Sequence, residues 1–204
     1  MITIVDYGLG NIGAFANMYK RLNMPAAIAR CGADLAGATH IVLPGVGAFD
    51  HAMELLNASG LRVPLDRIVA DGSAAVLGVC VGMQILGDSS EEGAGRGLGW
   101  IKGRVKAFAG HPAAGRLPLP HMGWNDVAPI RPATIFRGME HDARFYFLHS
   151  YYFDCESRDD VLADADYGFP FACAIGRGKV FGVQFHPEKS HHWGADLLRN
   201  FAET

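Results

Sequence analysis

Short, continuous apolar runs alternate with helix-spaced segments through the first half of the chain. "ITIVDY" (2–7) is an apolar run that stops at the turn "GLGN", and "NIGAFANMYKRLN" (11–23) then sets Ile12, Phe15, Ala16 and Tyr19 at helical spacing. "AAIAR" (26–30) and "THIVLPG" (39–45) predict a second and a third strand, residues 48–58 and 61–71 two helices, and "AAVLGVC" (74–80) a fourth strand. Strands that are apolar throughout and separated by helices predict a parallel sheet covered on both faces.

Past residue 99 the rhythm changes. "WIKGRVKAF", "HMGWNDVAPI", "RFYFLHSYYF", "FACAIG" and "KVFGVQF" follow one another closely, joined by turns with few helices between them. They predict an antiparallel extension of the same sheet, closed by a C-terminal helix at 194–203. "SSEEGAGRGLG" (89–99) and "AGHPAAGRLPLP" (109–120) read as flexible connections. With no repeat and no linker, the expectation is one α/β domain over 1–204: a mostly parallel central sheet flanked by helices, with an antiparallel extension.

Composition narrows the classes of function. The chain has 204 residues, half of them hydrophobic, enough for one sizeable core. Net charge is −3 with no dense Lys/Arg run, so nucleic acid is a poor candidate partner. No apolar stretch reaches the ~18 residues of a membrane span, and "MITIVDYGLG" lacks the basic and apolar segments of a signal peptide. Cysteines 31, 80, 155 and 173 form neither a C-x-x-C nor a dense framework, which favours free thiols in a reducing cytoplasm.

The chemistry centres on Cys80. A cysteine in an apolar run is ordinarily a small core hydrophobe. Gly78-Val79-Cys80-Val81-Gly82, however, fits G-x-nucleophile-x-G, a sharp strand-to-helix turn that glycines permit. A thiol there meets a helix N-terminus, which favours the thiolate. Among nine histidines, His186 in "GVQFHPEKS" (182–190) follows a strand, where parallel sheets keep their sites. Glu188, two residues on, falls on the same face at about 6–7 Å in strand geometry and can orient the imidazole. Pro187 ends the strand.

"LPGVGAF" (43–49) follows the third strand, and Gly45 and Gly47 let backbone amides face a cleft, as an oxyanion requires; a plain strand-to-helix turn is the other reading. "HPEKSHH" makes a poor metal chelate, because adjacent His191 and His192 diverge and no cysteine pair lies near. Gly8-Leu9-Gly10-Asn11-Ile12-Gly13 matches the G-x-G-x-x-G of dinucleotide sites, but Arg30 stands where the second strand should end in an acid, with Asp34 later. That reading leaves Cys80, His186 and Glu188 without a role.

Together "DYGLGN", "PGVGAF", "GVCVGMQIL", "SSEEG", "LPHMGWN", "FYFLHSYYF" and "GVQFHPEKS" make the chain resemble the class I (triad) glutamine amidotransferases nearly end to end. "DYGLGN", "PHMGWN" and "HSYY" are most similar to the branch that supplies ammonia in histidine biosynthesis. The resemblance implies Cys80 as the nucleophile that attacks the amide of L-glutamine, His186 as base and then acid, and Glu188 as its orienter. It implies that Gln84 and Gly45–Val46–Gly47 line the pocket, with oxyanion amides supplied after a peptide rearrangement, and that Ser150 and Tyr151 hold the glutamine carboxylate. It implies no cofactor and no metal. It further implies a heterodimer with a (β/α)8 synthase docked over Asn11, Met122, Trp124, Asn125 and Lys189, which receives the ammonia without release to solvent.

Two departures stand out. Val81 follows the nucleophile where that branch usually has leucine, a conservative change. "IGAFANMYKRL" and "SHHWGADLLRNF" look more like a paralogous branch that feeds a synthase-like partner in surface-polysaccharide sugar amidination. A rival of another class is a catalytically silent subunit that only supports its partner, against which the intact Cys80, His186 and Glu188 argue.

Overall fold

The structure, a computed structural model, describes residues 1–115, 117–131 and 134–204. Thirteen strands appear among them: β1 Ile2–Val5, β2 Ala26–Ala29, β3 His40–Gly45, β4 Ala75–Cys80, β5 Ser89–Ser90, β6 Gly103–Ala107, β7 His121–Asp126, β8 Ala128–Pro129, β9 Arg144–His149, β10 Tyr151–Cys155, β11 Val161–Asp166, β12 Pro170–Arg177 and β13 Val180–Val183. The helices are α1 Ile12–Arg21, α2 Phe49–Ala58, α3 Arg62–Asp71, the single turn α4 Val81–Gln84, and α5 His191–Ala202.

The main sheet runs β2-β1-β3-β4-β13-β12-β10-β6-β5, with β11 on β12 and β8 on β11. Its first five strands are mutually parallel, and β13, β12, β10 and β6 pair antiparallel. The central strand β4 is buried at all six positions, as a sheet covered on both faces requires. Helix α1 turns Phe15, Met18 and Tyr19 inward at i, i+3 and i+4. The strand and helix placements expected over residues 2–80 agree with the structure to within one or two residues at each end. The C-terminal helix starts earlier than expected, at His191.

Three features differ from expectation. "RFYFLHSYYF" is two strands: the chain bends at Ser150, and β9 leaves the main sheet to form a separate ribbon with β7. The pattern is apolar on both sides of the bend because each strand buries a face against a different neighbour. Second, "VLADAD" forms β11, which the polar-looking Asp–Ala alternation conceals. Ala163 and Ala165 face the core, while the Arg158 guanidinium pairs with Asp164 at 2.7 Å. Third, residues 89–99 are tied down: the Asp50 carboxylate accepts from the backbone N–H groups of Ala94 (2.9 Å) and Gly95 (3.0 Å). Of the 109–120 connection, residue 116 lies outside the described residues; the rest includes two short 3₁₀ turns and a Pro118 carbonyl that accepts from the Tyr167 hydroxyl at 2.6 Å.

The C-terminal ends of β3 and β4 pack backbone against backbone. A Cβ on Gly82 would overlap the Leu43 carbonyl oxygen, one on Gly45 would lie 2.5 Å from the Gly82 nitrogen, and one on Gly78 2.5 Å from the Gly82 carbonyl oxygen. The Gly82→Ala variant is therefore expected to lose on the order of 3 kcal/mol through overpacking, lowering Tm by roughly 6–12 °C for a chain of this length. A thermal melt within 2 °C of the parent would contradict this packing.

Candidate active site

Cys80 is the last residue of β4 and holds φ 56°, ψ −115°, a conformation that non-glycine residues rarely adopt. The crossing of β3 on α4 leaves the chain no other way to turn, so the strain places the thiol outward at the head of α4. Its Sγ lies 4.0 Å from the Leu148 carbonyl oxygen and 3.8 Å from Nε2 of Gln184.

His186 lies three residues beyond β13, at the same sheet edge. Its N–H donates to the Tyr146 carbonyl at 2.8 Å. Ser190 Oγ donates to the His186 carbonyl at 2.6 Å and accepts from the Tyr146 N–H at 3.0 Å. Glu188 does not sit in strand geometry as expected. Residues Pro187–Lys189 form a 3₁₀ turn, which brings Glu188 Oε1 to 2.9 Å from His186 Nδ1 with both side chains buried. Gly194 allows this turn to be capped by α5, since a Cβ there would overlap the Pro187 carbonyl. With Nδ1 committed to the carboxylate, Nε2 is left for the sulfur. Burial pulls the His186 pKa down, but hydrogen bonds to Cys80 and Glu188 and their charges outweigh it and push the value up to about 9. The ring is thus held toward the imidazolium at neutral pH.

A cavity of about 180 Å³ opens over Cys80, lined by Val46, Gly47, Val81, Gln84, Glu92, Leu148, His149, Ser150, His186 and Lys189. It is smaller than drug-sized pockets, which run to roughly 300 Å³ and more; it suits an amino acid. Of the residues expected there, Val46, Gly47, Gln84 and Ser150 line it. Gly45 lies behind, paired with Cys80 across β3 and β4. Tyr151 contributes its carbonyl, which accepts from His149 Nδ1 at 2.7 Å and Gln84 Nε2 at 3.5 Å. Gln84 Nε2 also donates to Gln184 Oε1 at 3.0 Å.

Sequence reasoning missed Glu92, Leu148, His149 and Val81 as lining residues. The "SSEEG" motif was the available signal for Glu92, whose Oε2 accepts from the Phe49 N–H at 2.8 Å. Val81 follows directly from the elbow, because the residue after a nucleophile offers its amide at the helix start.

The β7–β9 ribbon divides the expected docking residues. Its outer face carries Met122 opposite Leu148 and Trp124 opposite Tyr146, and Met122 (65% exposed), Trp124 (42%), Leu148 (36%) and Val46 (41%) are apolar and open. Lys189 belongs to both groups, lining the cavity with its ammonium 5.8 Å from the Tyr146 ring centre. Asn125 points to the opposite face, where Nδ2 donates to the Asp166 carbonyl at 2.7 Å. Asn11 is exposed and caps α1, accepting from the Ala14 N–H at 3.3 Å. The glycine-rich turn before it packs on Pro44, Arg30 is engaged by Asp6 at 3.0 Å, and Asp34 caps a 3₁₀ turn. His191 stacks on Trp124 and His192 tilts against Trp193. Among the described residues, no group of three or more His, Cys, Asp or Glu is arranged to hold a metal ion.

Residues 3–204 match the family described as glutamine amidotransferase class-I, and the chain belongs to that family. It is 58% identical over 203 residues to imidazole glycerol phosphate synthase subunit HisH of Bdellovibrio bacteriovorus, covering 100% of both chains. It is 52% identical over 202 residues to the subunit of the same name from Leptospira interrogans, 99% of each. A third relative, subunit HisH 2 of Pseudomonas aeruginosa, is 45% identical over 203 residues, 100% of this chain and 99% of the relative. Among solved structures, a glutamine amidotransferase matches with a TM-score of 0.75 at 22% identity, covering 99% of this chain and 97% of the other. PurLQS from Thermotoga maritima matches at 0.74 and 15%, with the same coverage. These two share the fold.

The His186 imidazole should titrate near pH 9 in ¹⁵N or ¹H NMR. Its midpoint should fall in both Cys80→Ser and Glu188→Gln, since each partner raises it. An unshifted midpoint in either variant would mean that the pairing drawn here is wrong.

Proposed function

We propose that this chain is the glutamine-hydrolysing subunit of an imidazole glycerol phosphate synthase, passing ammonia to a (β/α)8 synthase subunit in the cytoplasm. The observation that carries the reading is the convergence of Cys80, His186 and Glu188 at the edge of one cavity of amino-acid size. Full-length identity to proteins of that name supports the pathway. Among the described residues, no helix is long and apolar enough to cross a membrane.

Cys80 Sγ attacks the side-chain carbonyl carbon of L-glutamine. The developing oxyanion is stabilised by backbone N–H groups at Val81 and the Val46–Gly47 loop. The C–N bond breaks, His186 Nε2 gives its proton to the leaving nitrogen, ammonia departs, and a γ-glutamyl thioester remains on Cys80. Water then attacks the thioester, His186 takes its proton, and glutamate and the free thiol return. Glu188 holds the ring in one orientation throughout and balances the imidazolium. Ser150 and its neighbouring backbone receive the substrate carboxylate, and Glu92, beside the cavity, is the carboxylate placed to meet the α-ammonium.

The outer ribbon face supports the docking half of the reading. Exposed Val46 and Leu148 line the cavity together with Lys189, and Met122 and Trp124 extend that apolar surface along the outer face of the ribbon. A partner seated there closes the mouth, so ammonia leaves into the partner rather than into water.

In the complex, Cys80→Ala should abolish glutamine hydrolysis while turnover with free ammonium persists. Glutaminase activity surviving in that variant would sink the nucleophile assignment. Lys189→Ala should weaken association in calorimetric titration about tenfold, the equivalent of roughly 1.4 kcal/mol, with an unchanged melt. An unaltered Kd would remove Lys189 from the interface.

A further inference from the structure

Behind the cavity, a chain of side-chain hydrogen bonds runs across the inner face of the β7–β9 ribbon, and the glutaminase mechanism does not use it. Asn125 Oδ1 accepts from the Asp126 N–H at 2.8 Å, which fixes the amide orientation and turns Nδ2 toward His121 Nε2 at 3.3 Å. His121 Nδ1 lies 2.9 Å from His149 Nε2, and His149 Nδ1 lies 2.7 Å from the Tyr151 carbonyl oxygen.

The tautomers follow from both ends. An amide N–H can only donate, so neutral His121 accepts at Nε2 and carries its proton on Nδ1. A carbonyl can only accept, so His149 also carries its proton on Nδ1 and leaves Nε2 to accept from His121. The two deductions meet at the His121–His149 bond and agree. Burial holds both rings in the neutral form this needs, pushing His121 down to about 4 and His149 to about 3.

We propose that His121 is a positioning residue for the glutamine site: through His149 it locks the Ser150–Tyr151 bend that presents the substrate carboxylate. The bond from His149 to Tyr151 bridges Ser150, the point where the chain crosses from ribbon to main sheet. The same Tyr151 carbonyl accepts from Gln84, which reaches Gln184 and through it the Cys80 sulfur. Without the His121 donor, His149 is free to take the commoner Nε2–H tautomer. Its Nδ1 lone pair then faces a carbonyl oxygen, and the bend loses its tie.

This inference rests on the glutaminase reading, and two measurements separate the fates of the two. The first uses the wild-type chain: long-range ¹H–¹⁵N correlation of the imidazoles at pH 7 should show the proton on Nδ1 of both His121 and His149. An Nε2–H form at either residue overturns the proposal, whatever the chain's activity. The second uses the complex with His121→Phe and His121→Asn. His121 is stacked between Phe147 (4.8 Å) and Tyr167 (4.0 Å), so a ring needed only for packing predicts that Phe serves and Asn fails. The Asn amide nitrogen occupies the place of Nδ1 and can donate to His149. The proposal therefore expects Phe to raise KM for glutamine about tenfold with little change in kcat, and Asn to restore it to within threefold. Ammonium-dependent turnover should be unchanged in both. The reverse order, or equal KM in both variants, overturns it. A folded wild-type complex that hydrolyses no glutamine would sink the functional reading, while the tautomers would still decide the hydrogen-bond chain.

Discussion

The site depends on one close approach: β3 and the turn after β4 meet with no side chain between them. Gly45, Gly78 and Gly82 remove the atoms that would hold the two segments apart. At that separation Cys80 is driven into a positive-φ conformation, a strain that only a well-packed surround sustains. Burial of β4 on both faces supplies that surround. The contact also sets Gly45 opposite Cys80, so the loop that offers amides and the sulfur are held in register by the sheet itself.

The acid–base half of the site is built separately and by different means. It relies on hydrogen bonds around a 3₁₀ turn rather than on a forced backbone. Ser190 ties the turn to β9, and Gly194 lets α5 press on Pro187. Glu188 is left with one oxygen on His186 and the other, Oε2, buried with no hydrogen-bond partner. A carboxylate held by a single bond in a dry setting interacts strongly with the one cation beside it. Cys80 is thus fixed by sterics and His186 by electrostatics, and the two meet only because β4 and β13 are adjacent parallel strands.

Much of this was legible before any coordinates. The parallel half of the sheet announced itself because buried strands are apolar throughout, and the elbow because glycine at both flanks of a cysteine has a steric meaning. The expected meeting of Glu188 with His186 does occur, but through a turn and not through strand alternation. What stayed hidden depended on tertiary neighbours. Nothing in "RFYFLHSYYF" distinguishes one long strand from two that bury faces against different sheets. Asp164 in β11 reads as loop until Arg158 is beside it. Asn125 sat in a docking motif by proximity in sequence, yet strand alternation turned it to the inner face, away from Met122 and Trp124.

The apolar rim has a consequence for the life of the chain outside any complex. Met122, Trp124, Leu148 and Val46 cluster where a solitary molecule meets water, and contiguous exposed apolar area favours self-association over dispersal. A copy with that face bare therefore carries a colloidal burden that a copy with it covered does not. Mass action links folded yield to the supply of whatever covers that face. Covering that face becomes a solubility requirement, written into four side chains.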